Sequence, residues 1–156
     1  MLKLSWLISL GITLIGFLSI QQFFTIQPEG VSANGNLGLV GIVIVTPFLL
    51  LSLYTTYRFF LVRIKEGKDK VMKIISIFVG FFMIAVLFYL VIDYKNTVVT
   101  SLESNINIDE FPQLNEFTFD IFFNFYTYAL VHTVSGVIGT MVGFIQPKKT
   151  KEELAK

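Results

Sequence analysis

Long apolar runs alternate with short charged segments along this chain. Residues 4–24, 37–57, 74–92 and 121–147 contain no Asp, Glu, Lys or Arg. Each run is long enough to cross a hydrocarbon core ~30 Å thick as a helix. The pattern predicts helices at about 4–24, 37–62, 72–94 and 121–145, and so a single integral membrane domain over residues 1–156. The first run is about twice the usual ~7–15-residue core of a signal peptide and is not followed by a small-x-small cleavage pattern, so it is read as an uncleaved helix.

The charges sort by side. Of the twelve basic residues, only Lys95 falls in a segment across the membrane from the N-terminus. The positive-inside rule then puts the N-terminus, the 63–71 loop and the 146–156 tail in the cytoplasm, and the 25–36 and 95–120 loops outside. The expected fold is an all-α, four-transmembrane-helix bundle, N-in and C-in, with its longer outer loop between helices 3 and 4.

Composition narrows the class further. Hydrophobic residues make up 54% of the chain, and four helices with their loops leave no room for a soluble catalytic domain. The absence of cysteine excludes disulfides and thiolate chemistry. Heavy use of Phe, Ile and Lys with short loops points to a bacterial plasma membrane. The few basic residues lie against the bilayer, which argues against nucleic-acid binding.

Local signals refine each segment. Trp6 is expected at the headgroups, its N–H toward water. Pro47 removes a backbone N–H inside helix 2, where a bend is expected and a hydroxyl such as that of Thr46 could satisfy the freed carbonyl. Gly38, Gly41, Ser52 and Thr55 form one side of helix 2, suited to packing against helix 1 or helix 4. In the 95–120 loop, acidic Asp109, Glu110 and Glu116 interleave with apolar Phe111, Phe117 and Phe119. The alternation at Ile106/Ile108 and Phe117/Phe119 suits a short strand pair or a segment lying along the interface. The loop as a whole is a candidate surface for a partner.

Helix 4 carries the densest pattern. At 100° per residue, Asn124, Tyr128, His132, Ser135, Gly139 and Gly143 fall within an arc of about 100°. Two readings follow. In the first, the stripe faces the bundle: Ser135, Gly139 and Gly143 let helix backbones approach closely and the polar groups bond across helices. In the second, Asn124, Tyr128, His132 and Ser135 line a polar path, since an ionisable residue at mid-depth is a functional hypothesis by default. Asp93 and Asp120 could form a charged mouth. Alternatively, Asp93 simply marks the headgroup boundary and Asp120 complements the dipole of helix 4.

Enzyme templates find no match. The sequence has no His-x-x-x-His, no Ser/His/Asp set with an intramembrane acid and no phosphate-cradling glycine loop. One histidine without an intramembrane carboxylate cannot build an ordinary metal site, and no cofactor is implied. The expected function is non-enzymatic: protein–protein interaction in the membrane, as an accessory, regulatory or immunity-type subunit or as a homo-oligomer. The alternative is a small oligomeric channel or transporter using the His132 stripe. A membrane enzyme using the outer-loop carboxylates is the third reading.

Overall fold

In the computed structural model, residues 2–24, 37–67, 69–105 and 119–146 are described, and every element among them is helical. The helices are α1 (Leu2–Ser19), continued by a π-helical turn (Ile20–Phe24), α2 (Leu37–Glu66), α3 (Lys70–Asn105) and α4 (Phe125–Ile145), which follows a 3-10 turn (Phe119–Phe122). Four of these are long and apolar enough to cross a membrane: Leu2–Phe23, Val40–Glu66, Lys70–Ser101 and Phe125–Ile145.

The helices outrun the uncharged stretches. α2 continues to Glu66 rather than 62 and α3 begins at Lys70, so most of the expected 63–71 loop is helical, and Gly67 N–H still bonds the Arg63 carbonyl. The Asp69 carboxylate accepts from Val71 N–H and caps α3. The larger correction concerns residues 95–105, expected as loop and found as the last turns of α3. The charges at Asp93 and Lys95 do not stop the helix, and no proline interrupts this segment. The Thr97 and Ser101 hydroxyls bond carbonyls four residues back and remain inside the helical register.

α4 begins later than expected, at Phe125. Asn124 adopts an extended backbone (φ −128°, ψ 172°) and its side chain accepts from Thr127 N–H, ending the 3-10 turn and capping α4. Asp120 therefore lies in that turn, outside the first turn of α4, and the expected dipole role does not apply. α2 passes through Pro47 without interruption. The Thr46 hydroxyl bonds the Ile42 carbonyl at 2.7 Å. The carbonyl freed by Pro47 is that of Val43, so the expected substitution of Thr46 at that site is not what forms.

Ring stacks and side-chain bonds bring the helix ends together. Trp6 stacks on Phe59 at 3.9 Å, so the start of α1 meets the end of α2. Lys65 Nζ donates to Gln146 Oε1 at 2.6 Å, which joins the ends of α2 and α4. At the opposite end Gln21 donates to the Tyr94 hydroxyl, and Tyr94 packs on Tyr126. The first end carries Lys3, Arg58, Arg63, Lys65, Lys70 and Lys73, and the opposite end carries Lys95. Trp6 departs from expectation: its indole N–H donates to Thr56 Oγ1 at 3.1 Å, within the bundle.

α4 is the hub. It packs along α2 on one side and along α3 on the other, while α1 lies mainly on α2. Small residues set how close the helices come. A Cβ on Gly139 would run into the Tyr57 carbonyl, and one on Gly143 would stand 2.9 Å from the Leu61 carbonyl oxygen. Backbone thus meets backbone along the α2–α4 crossing, the geometry that small-xxx-small spacing permits. On the other side a Cβ on Gly80 would collide with Val137, which sets the α3–α4 contact.

Gly139→Leu is expected to destabilise the bundle by about 1–3 kcal/mol or more, because a side chain must displace backbone rather than a flexible neighbour. Unfolding titrations in mixed micelles, compared with Gly11→Leu, check this. Gly11 has no atom within 4 Å of a Cβ, so its substitution is expected to be nearly neutral.

Candidate functional site

The polar residues of the spans converge on one seam between α1, α2 and α4. α1 contributes Ser9 and Thr13, α2 contributes Ser52, Thr55 and Thr56, and α4 contributes Tyr128, His132 and Thr140, all buried. Their spacings of three and four residues put each set on one helix face.

His132 is at the centre. Its Nδ1 lies 2.7 Å from the Tyr128 carbonyl and its Nε2 lies 2.8 Å from Ser52 Oγ. A carbonyl can only accept, so a neutral ring holds its proton on Nδ1 and accepts at Nε2 from the Ser52 hydroxyl. Ser52 Oγ is also 3.0 Å from the Leu49 carbonyl. One hydroxyl proton cannot serve both acceptors fully. The imidazole nitrogen has no other donor, whereas the Leu49 carbonyl remains available to its helical N–H partner, so the proton belongs to the histidine.

The same accounting orders the neighbouring hydroxyls. Thr55 Oγ1 lies 2.7 Å from Ser9 Oγ and 3.0 Å from the Ser52 carbonyl. That carbonyl already receives the Thr56 hydroxyl at 2.7 Å. Thr55 therefore donates to Ser9, and Ser9 donates to the Trp6 carbonyl at 2.9 Å. Thr13 Oγ1 stands within reach of both the Ser9 and the Phe48 carbonyls, at 2.9 and 3.1 Å.

The other stripe residues of α4 are tied as well. The Tyr128 hydroxyl donates to the Leu10 carbonyl at 3.0 Å, and its ring packs edge-on against Phe17. Ser135 Oγ donates to the Leu53 carbonyl at 2.7 Å. Asn124 is almost fully buried, with its amide donating to the Ile121 carbonyl and its carbonyl oxygen accepting from Thr127 N–H. It caps α4 rather than joining Tyr128 and His132. Gly139 and Gly143 sit on α2, as described above.

The remaining candidates divide differently. Asp109, Glu110, Phe111, Glu116 and Phe117, and the expected strand pair, lie outside the described residues. Phe119 opens the 3-10 turn before α4. Among the described residues, no group of three His, Cys, Asp or Glu is placed to hold a metal ion.

Sequence reading passed over Ser9, Thr13 and Thr56, and also Gly136 and Thr140 of α4. Their signal was available as Ser-x-x-x-Thr on α1 and Ser-x-x-Thr-Thr on α2, both inside uncharged runs. Read across helices, these spacings would have marked the faces that answer the α4 stripe. No family model matches the chain, and no curated protein and no solved structure matches it.

Chemically, the seam can align three helices and hold one imidazole in a defined tautomer. Ser52→Ala and His132→Ala are each expected to destabilise the bundle, with a coupling between the two sites of about 0.6 kcal/mol and at most about 1.7 kcal/mol. A double-mutant cycle by unfolding in mixed micelles measures it, and strictly additive losses would mean that the 2.8 Å bond contributes nothing.

Proposed function

We propose that this is a multi-pass protein of a bacterial plasma membrane, both termini cytoplasmic, that works by binding another membrane protein. Accessory, regulatory and immunity-type subunits are the roles of that kind. The observation that carries the reading is the division of labour among the helices. Ser9 of α1, Ser52, Thr55 and Thr56 of α2, and Tyr128, His132 and Ser135 of α4 bond across the seam. α3 docks on α4 by one side and leaves exposed a broad face that includes Phe78, Phe82 and Tyr89. Aromatic side chains supply large contact areas that order at little entropic expense. α3 also continues as far as Asn105, ten residues past Lys95, or about 15 Å of helix. The 106–118 segment, aromatic and acidic in sequence, follows it and is the part offered to a partner.

The orientation rests on the basic residues gathered at one end, with Lys95 at the other. Because the chain has no cysteine, single-cysteine variants read sidedness directly. A Lys3→Cys variant is expected to resist an impermeant maleimide in intact cells and a Lys95→Cys variant to react. The reverse pattern would invert the topology.

For the interaction itself, photoreactive benzoylphenylalanine in place of Phe82 is expected to crosslink another membrane protein in native membranes. The same probe at Ile15, on the lipid-facing side of α1, is expected not to. Only self-adducts would make the protein a homo-oligomer. If the protein instead carries a pH-dependent flux in liposomes that His132→Ala alters, the seam is a conduit and the partner-binding reading fails.

A further inference from the structure

α2 and α3 both rest on α4 but diverge from each other, leaving a cleft of about 520 Å³ within the spans. Its walls include Leu53 and Tyr57 of α2 and Ile84 and Phe88 of α3, and its floor includes Val134 and Ile138 of α4. The surface is almost entirely apolar: the Ser135 hydroxyl, which reaches this floor, is turned to the Leu53 carbonyl. The cleft cannot close by sliding the helices together. Gly139 and Gly143 already seat α2 on α4 at backbone distance, and Gly80 seats α3 against Val137.

The floor from Leu130 to Ile138 is about 12 Å long, room for slender apolar chains to lie along it. Water has no partners there, and an apolar cavity of this kind accepts apolar ligands.

Charge selects the headgroup. Lys65 lies eight residues beyond Tyr57, about 12 Å along α2, and Lys73 eleven residues before Ile84, about 16 Å along α3. One leaflet of a ~30 Å hydrocarbon core is about 15 Å deep, so a lipid with its phosphate at these lysines reaches the cleft with its tails. Both lysines are half-buried: Lys65 is anchored on Gln146, and Lys73 Cε lies 3.7 Å from the position of a Cβ on Gly67. Arg63 and Lys70 share that end. Among the described acids of that end, Glu66 faces solvent and the Asp69 carboxylate caps α3.

We propose that the cleft between α2 and α3 is a binding site for an anionic phospholipid, with acyl chains along Tyr57, Phe88 and Val134 and phosphate at Lys65 and Lys73. This site lies apart from the outward aromatic face of α3, and the two readings stand or fall separately. The test uses full-length protein with Trp6→Phe and Phe88→Trp, in bilayers of equal phosphatidylglycerol and phosphatidylcholine. The acyl chains of one lipid or the other are brominated, and fluorescence quenching is read. The reference reporter is Trp6→Phe with Ile15→Trp.

The Phe88→Trp reporter is expected to be quenched more by the brominated anionic lipid, while the Ile15→Trp reporter shows no preference. Lys65→Gln and Lys73→Gln are each expected to lower the anionic preference by up to about fivefold. Val134→Phe is expected to abolish it by filling the cleft. Equal quenching by both lipids at Phe88→Trp, or a preference unchanged when both lysines are neutralised, overturns the proposal. If Val134→Phe fails to fold, the lysine variants, at the basic end of α2 and α3 and away from the cleft floor, still decide it.

Discussion

Inside hydrocarbon, apolar side chains gain little by leaving lipid for one another, so helices need a different reason to associate. Here the reason is the approach of two backbones. Gly139 and Gly143 place α4 directly on the Tyr57 and Leu61 carbonyls of α2, and that closeness brings His132 within 2.8 Å of Ser52 and Ser135 within 2.7 Å of the Leu53 carbonyl. With bulkier residues at either glycine the helices would separate and these bonds would lengthen beyond use. The seam follows from that crossing, while Gly80 against Val137 seats α3 on the other side of α4.

The seam is a branched set of short bonds rather than a line. One branch runs from Thr55 through Ser9 to the Trp6 carbonyl and another from Ser52 through His132 to the Tyr128 carbonyl, so that both end on main-chain carbonyls and together they join three helices. Such an arrangement fixes the rotation of each helix about its own axis. Apolar packing alone fixes rotation poorly in lipid, because every face of these helices is greasy enough to turn outward. The exposed surfaces of α1 and α3, rich in Leu, Ile and Phe, illustrate the point.

Much of this was legible in the sequence, and the unread part has a physical cause. The four uncharged runs located the spans because charge is expelled from hydrocarbon, and the α4 stripe singled out Tyr128, His132, Ser135, Gly139 and Gly143 because period 3.6 is intrinsic to a helix. Helix ends were less legible. Charge marks the ends of the apolar runs, while caps and breakers decide where a helix stops, so charge alone neither extends α3 to Asn105 nor makes Asn124 the cap of α4. Which helix a polar face would meet was also hidden. Ser9 and Thr13 look like ordinary hydroxyls of an apolar run until α2 presents Thr55 and the Phe48 carbonyl to them.

The placement of α3 has a consequence for how the protein is made. Apart from the Gln21–Tyr94 bond, α3 finds its support mainly on α4, the fourth helix to leave the ribosome. α1 and α2 can join as soon as both have entered the bilayer. The third helix must then wait in lipid, with its docking side facing acyl chains, until residues beyond Asn124 arrive. For that interval the newborn chain is a two-helix hairpin with a free third span, and α4 is the helix that turns it into a single body.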